Sequence, residues 1–142
     1  MAIDWNLILR LLIGGLMGGL IGLEREMRAK GVGIRTHFIV ALGSALFMIV
    51  SLYGFYDKFD TSRVAAGVVS GIGFIGAGVI IFQKNVIRGI TTAAGLWVAA
   101  AVGLACGGGM YAIAAAATIL TLVCLELFHV FHHFYGEKVV EV

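Results

Sequence analysis

Gly67-Val-Val-Ser-Gly-Ile-Gly-Phe-Ile-Gly-Ala-Gly78, running on into Val79-Ile-Ile-Phe82, carries no charge between Arg63 and Lys84. That run is long enough to cross a bilayer as one helix. At about 100° per residue, Gly67, Ser70, Gly71 and Gly78 fall on one face, while Gly73, Gly76 and Ala77 point elsewhere. A helix with small residues on two faces brings its backbone close to neighbours on both sides, which is how helices pack in lipid. The expected place for this segment is the centre of a membrane bundle. Gly71-x-Gly73-x-x-Gly76 also matches the dinucleotide fingerprint letter for letter. That fingerprint needs a strand before it, a helix after it and an acid about 20 residues on. Here the glycines lie inside a membrane-length run and no acid occurs between Asp60 and Glu126. The glycines are read as packing surface.

The rest of the chain agrees. Of 142 residues 61% are hydrophobic and only 13% are charged, where a soluble domain averages about 25% charged. Five apolar spans are expected at about 6–23, 38–55, 64–82, 90–106 and 110–128, with 129–142 as a short tail. The fold class is therefore an all-α integral membrane bundle, a single transmembrane domain. No cleavable leader is expected, because Met1 to Trp5 lacks a basic start. Without proline, any bend should sit at a glycine. Cys106 and Cys124 fall in apolar spans with no C-x-x-C pairing, and read as buried free thiols. The small net charge, placed at span ends, gives no reason to expect nucleic acid.

In the first span Gly14, Gly15, Gly18, Gly19 and Gly22 project within about 140°, and Arg25 and Glu26 continue that sector one turn on. In the fourth, Thr91, Gly95, Val98, Val102 and Cys106 make a small-to-medium stripe. With five spans, Arg25, Arg28, Lys30, Arg35, Lys84, Arg88 and Lys138 share one side, against Lys58, Arg63 and at most Arg10 on the other. The positive-inside rule then puts the N-terminus outside and the C-terminus in the cytoplasm.

The polar residues form one cluster of interest: Glu24, Arg25, Glu26, Arg35, Thr36, Asp60, Arg63, Asn85, Arg88, Thr91 and Thr92. In one reading they are interfacial charges that fix orientation. In the other, Arg25 and Glu26 are drawn between helices and pair with Arg35 or Arg88. Asp60 and Arg63 are spaced to pair at the start of the third helix. Thr91, Thr92, Asn85 and Arg88 either ease a helix start or line a cytoplasmic vestibule. Glu126, His129 and His133 share a sector of about 60° in the Glu-x-x-His spacing of carboxylate metal sites. The same residues also suit a solvated helix end, and neither a metal nor a cofactor is expected. No nucleophile–base pair or paired catalytic carboxylates can be assembled, so an enzyme is not expected.

Gly22-Leu-Glu-Arg-Glu26, Gly33-Ile-Arg-Thr-His37, Ser70-Gly-Ile-Gly-Phe-Ile-Gly-Ala-Gly78 and Gly89-Ile-Thr-Thr-Ala-Ala-Gly-Leu-Trp97 occur in an order and spacing that resembles the MgtC/SapB family. Asp60-x-x-Arg63 and the glycines at 103, 107 and 109 also resemble its pattern. The likeness runs from about Leu12 to Thr121. Many members add a cytoplasmic regulatory domain, and this sequence reads as a short member without it. The resemblance implies a bacterial inner-membrane protein linked to magnesium limitation and acid stress. It also implies a modulator of other membrane machines, with the proton-driven ATP synthase as one suggested partner. The leading expectation is a non-enzymatic regulator acting through helix–helix contacts in the bilayer and forming a homodimer. Its contact glycines would be Gly14, Gly18, Gly22, Gly67, Gly71, Gly73, Gly76, Gly78 and Gly95. The rival is a small channel or transporter for Mg²⁺ or another cation, lined by Glu24, Glu26, Arg35, Asn85 and Arg88. Against it, the only acids between Arg35 and Gln83 are Asp57 and Asp60, in an outer loop.

Overall fold

The computed structural model describes residues 4–55, 60–83 and 86–135, with side chains throughout except at 83 and 128–135. It contains five helices and one short hairpin. In order these are α1 (Trp5–Met27), α2 (Ile34–Tyr53), α3 (Ser62–Val79), β1 (Ile81–Gln83), β2 (Val86–Arg88), α4 (Ile90–Gly107) and α5 (Tyr111–Tyr135). By length and composition α1 to α4 can each cross a membrane, while the apolar stretch of α5, Tyr111–Leu127, is shorter. The chain is an all-α membrane bundle. α5 carries on as helix to Tyr135, through residues expected to belong to a tail.

The bundle is built on α4, and this corrects the expectation that α3 is central. Half of the membrane-length window of α4 is buried, against 11% of that of α3. α4 owes its position to small residues on several sides: Gly95, Ala99, Ala100, Gly103, Ala105 and Gly107 are all buried. A Cβ at Gly103 would run into the Ala41 carbonyl of α2, and one at Gly107 would come 2.5 Å from the Ala45 carbonyl. α1 approaches the same seam with its glycine face. A Cβ at Gly14 would lie 3.2 Å from Ala45 Cβ and 3.3 Å from Cys106 Cβ, and one at Gly22 only 2.7 Å from Ile34 Cα. In lipid such contacts rest on dispersion between closely apposed backbones rather than on the hydrophobic effect.

α3 instead flanks the bundle. Ile72 and Gly76 are its buried residues, and Gly76 meets Ala93 of α4 in ordinary contact. A side chain at Gly67, Gly71, Gly73 or Gly78 would meet nothing within 4 Å. α3 is tied at its start by Ser51 Oγ, which donates to the Thr61 carbonyl at 2.8 Å. Asp60 opens the helix by accepting from the Ser62 amide at 2.9 Å and the Ser62 hydroxyl at 2.6 Å. Those two bonds hold the Asp60 carboxyl below its ordinary value. The expected Asp60–Arg63 ion pair is absent among the described residues, since the carboxylate is turned to Ser62.

α3 also ends earlier than the apolar run that contains it. After Val79 the chain becomes extended, and β1 pairs antiparallel with β2 in the register Ile81↔Arg88, Phe82↔Ile87 and Gln83↔Val86. Expected as the end of a span and a plain connector, this segment is a hairpin. Its β-branched and aromatic residues favour strand pairing once the helix has stopped. Gly89 closes the corner at φ +91°, where a Cβ would strike the Val79 carbonyl.

At the opposite end Arg10 gathers three elements. Its Nη1 donates to the Gly107 carbonyl at 2.9 Å, its Nε to Asn6 Oδ1 at 3.0 Å, and its guanidinium lies 5.7 Å from the Tyr53 ring centre. A cation is well placed at the C-terminal carbonyls of α4. Of the two thiols, Cys106 is buried as expected, while Cys124 is exposed on the outer side of α5; both are free.

Three outcomes follow from this architecture. Gly103→Val, which drives a side chain into α2, should cost about 3 kcal/mol in reversible unfolding from bilayer-like micelles, whereas Gly73→Leu should stay within about 0.5 kcal/mol. Ala29, just past the end of α1, has φ +52°. Ala29→Gly should therefore stabilise the protein by roughly 0.5–1 kcal/mol, and a loss would contradict the left-handed turn. Because the Asp60 carboxyl is depressed in the folded chain, its capping contribution is present above the unfolded value of about 4 and is lost as pH falls through the folded one. Amide-exchange protection at the start of α3 should drop with acid, and Asp60→Asn should flatten that dependence.

Candidate functional site

Charge collects where the C-terminus of α1, the N-termini of α2 and α4, and the far end of α5 meet. The sequence Gly22-Leu-Glu-Arg-Glu26 builds the site, because the glycine face of α1 delivers the next turn straight into the α2–α4 seam. Arg25 is accordingly buried, at 5% exposure. Its partner is Glu24, with Nη1 3.4 Å from Oε2, and neither Arg35 nor Arg88 takes part. Glu24 also faces Arg28 at 3.7 Å, and Arg28 reaches across to Glu126 on α5. The result is a line Arg25–Glu24–Arg28–Glu126 that runs from the buried seam to the surface. An arginine taken out of water needs a partner of opposite charge, so the inner pair is a constraint on how α1 can sit.

Glu26 does something different. It is exposed and does not enter the seam; its Oε2 accepts from the Ile34 amide at 2.9 Å. Gly33, the N-cap of α2, has no side chain to cap with. The carboxylate borrowed from α1 fills that role, and its charge suits the positive end of a helix. A side chain at Gly33 would collide with this same carboxylate.

The remaining expected residues scatter. Arg35, Thr36, Arg63, Arg88 and Thr91 are exposed, and Thr92 is buried in α4. Arg63 and Asp60 stand at the start of α3, the other end of the bundle from Glu24 and Arg25. Asn85 lies outside the described residues, as do the side chains of His129 and His133. Glu126 is engaged by Arg28. Among the described residues no three of His, Cys, Asp and Glu stand close enough to hold a metal ion.

Sequence reasoning missed His37. It falls one residue before the expected second span, yet it sits in the first turn of α2 and is fully buried. Its Nδ1 lies 3.0 Å from the Gly33 carbonyl. Three glycines make room for it: a Cβ at Gly22 would be 2.8 Å from its Cβ, one at Gly18 2.8 Å from its carbonyl oxygen, and one at Gly95 3.2 Å from its Nε2. The available signal was the placement of glycines on two different spans at the depth of a single histidine.

Comparison with known proteins bears on this arrangement. YhiD of Escherichia coli K12, whose name marks it as a candidate magnesium transporter, is 50% identical over 129 residues, which cover 86% of this chain and 60% of YhiD. Protein MgtC of Brucella abortus strain 2308 is 49% identical over 107 residues, 75% of this chain and 44% of that protein. Protein MgtC of Salmonella typhimurium strain 14028s is 47% identical over 115 residues, 81% of this chain and 49% of that protein. The chain thus spans between 44% and 60% of the length of these relatives. No solved structure matches it. The profile of the MgtC family matches residues 11–134, from the glycine face of α1 to the end of α5 and including the Glu24–Arg25 seam, and the chain belongs to that family.

Proposed function

We propose that this protein is a non-enzymatic regulator in a bacterial inner membrane, working by side-to-side contact with other transmembrane helices. One observation carries the reading: α3 is attached to the bundle by one side only, and a Cβ at Gly67, Gly71, Gly73 or Gly78 would meet nothing within 4 Å among the described residues. Gly67 and Gly71, with Gly43 of α2, line an apolar groove of about 580 Å³ between α2 and α3. A second helix seated there would gain the backbone proximity that drives association in lipid. The simplest occupant is another copy of the chain, in a dimer, and a different membrane complex such as the ATP synthase would use the same surface. Positive charge at the Arg25–Arg35 end supports a topology with that end in the cytoplasm and the N-terminus outside.

The name of the Escherichia coli relative supports a second reading, cation transport. Against it, among the described residues the spans carry no acidic side chain away from their ends, whereas magnesium is bound through oxygen ligands.

Gly67→Leu with Gly71→Leu separates the two. The pair should leave folding unchanged, since both positions face open space, and should lower cysteine crosslinking between α3 helices of neighbouring copies at least tenfold. Undiminished crosslinking would sink the contact reading. Flux of Mg²⁺, K⁺ and H⁺ from proteoliposomes is expected to match empty liposomes; flux above that background would establish transport instead.

A further inference from the structure

Glu24 Oε2, Arg25 Nε and His37 Nε2 are buried at one end of the bundle, and among the described residues none of the three has a hydrogen-bond partner, although Glu24 Oε2 also faces Arg25 Nη1 at 3.4 Å. Such groups are rare in folded proteins and each requires an account. The chemistry of His37 is constrained on one side. Its Nδ1 points at the Gly33 carbonyl, which can only accept, so Nδ1 carries the ring hydrogen. Nε2 is then a bare lone pair, held in a space that Gly95 leaves open on α4.

The surroundings narrow what this lone pair can take. From α1, Arg25 and, less strongly, Glu24 act on the imidazole, while the Glu26 carboxylate is occupied by the Ile34 amide. On α2 itself Arg35 is exposed. α4 carries no Asp, Glu, Lys, Arg or His, and the only charge on α3, Arg63, is at the opposite end. A metal ion is disfavoured by the guanidinium beside only two donors, and an anion by the Glu24 carboxylate.

We propose that His37 is a proton-binding site in the seam between α1, α2 and α4, with Glu24 as the counter-charge. Hydronium gives up a proton to the Nε2 lone pair, an N–H bond forms, and water leaves. The new N–H gives Nε2 a hydrogen to donate beside the Arg25–Glu24 pair. It also leaves Arg25 and the imidazolium competing for one carboxylate. That changes the balance of charge where Gly18, Gly22 and Gly95 allow the least movement.

The test uses the full chain in lipid nanodiscs with His129, His132 and His133 replaced by Gln, so that His37 is the only histidine. Ring ¹⁵N spectra recorded from pH 8 to pH 5 should pass from the Nδ1–H tautomer to the doubly protonated ring. In the same background Glu24→Gln should lower the protonated fraction at the wild-type midpoint at least threefold. A ring that stays neutral down to pH 5 while the protein remains folded would overturn the proposal and leave a bound water as the partner of the three atoms. Titration unaffected by Glu24→Gln would overturn it equally, by removing the counter-charge. The wild-type titration alone is decisive if the Glu24 variant fails to fold.

Discussion

Everything in this bundle depends on the contact between the backbones of α2 and α4 at Ala41 and Gly103, with the glycine face of α1 laid along it. Lipid gives apolar side chains no reason to prefer one another, so helices stay together only where they fit closely. Here the fit is at its limit, with no room for a methyl group at Gly18, Gly22 or Gly103 without backbone movement. The buried Arg25 is a product of this closeness: a helix pressed so far into the seam carries its next turn with it, and Glu24 must accompany the guanidinium.

The two ends of the bundle are fastened differently. At one, Arg10 holds the last carbonyls of α4 and the ring of Tyr53. At the other, the line of charges from Arg25 to Glu126 fastens α5 to α1. The helices between have little polar chemistry, so orientation and spacing are set at the ends and close packing in the middle.

Much of this could be read from residues alone. The five helices and the glycine face of α1 follow from periodicity, while the entry of Arg25 into the interior was one of two readings its place on that face allowed, and Glu26, read with it, stays outside. What periodicity does not contain is partner identity. A glycine face announces that something can come close, and α1 and α3 announce it equally, yet α1 finds α2 and α4 within the chain while α3 keeps its glycines outward. The centre went to α4, whose alanines and glycines are spread on several sides rather than concentrated in a motif. The hairpin was hidden because Val79-Ile-Ile-Phe82 is as apolar as the helix before it, and only the corner at Gly89 and the register across it tell them apart. His37 was hidden because its importance rests on empty space supplied by Gly22 and Gly95, residues distant in sequence.

The peripheral seat of α3 has a consequence for how the chain is made. Synthesis delivers α1, α2 and α3 before α4, although the seam requires α1, α2 and α4. The first two helices can pair through the glycine face of α1, but the surface of α2 at Ala41 and Ala45 that Gly103 and Gly107 will meet stays open until the fourth arrives. A third helix that packed well there would block it. By stopping at Val79 and turning back through the hairpin, α3 stands aside and hands the chain over to α4 beside the vacant seam. Its poor attachment is then a condition for orderly assembly, and the surface left bare in the finished protein is what remains of a helix that had to wait outside.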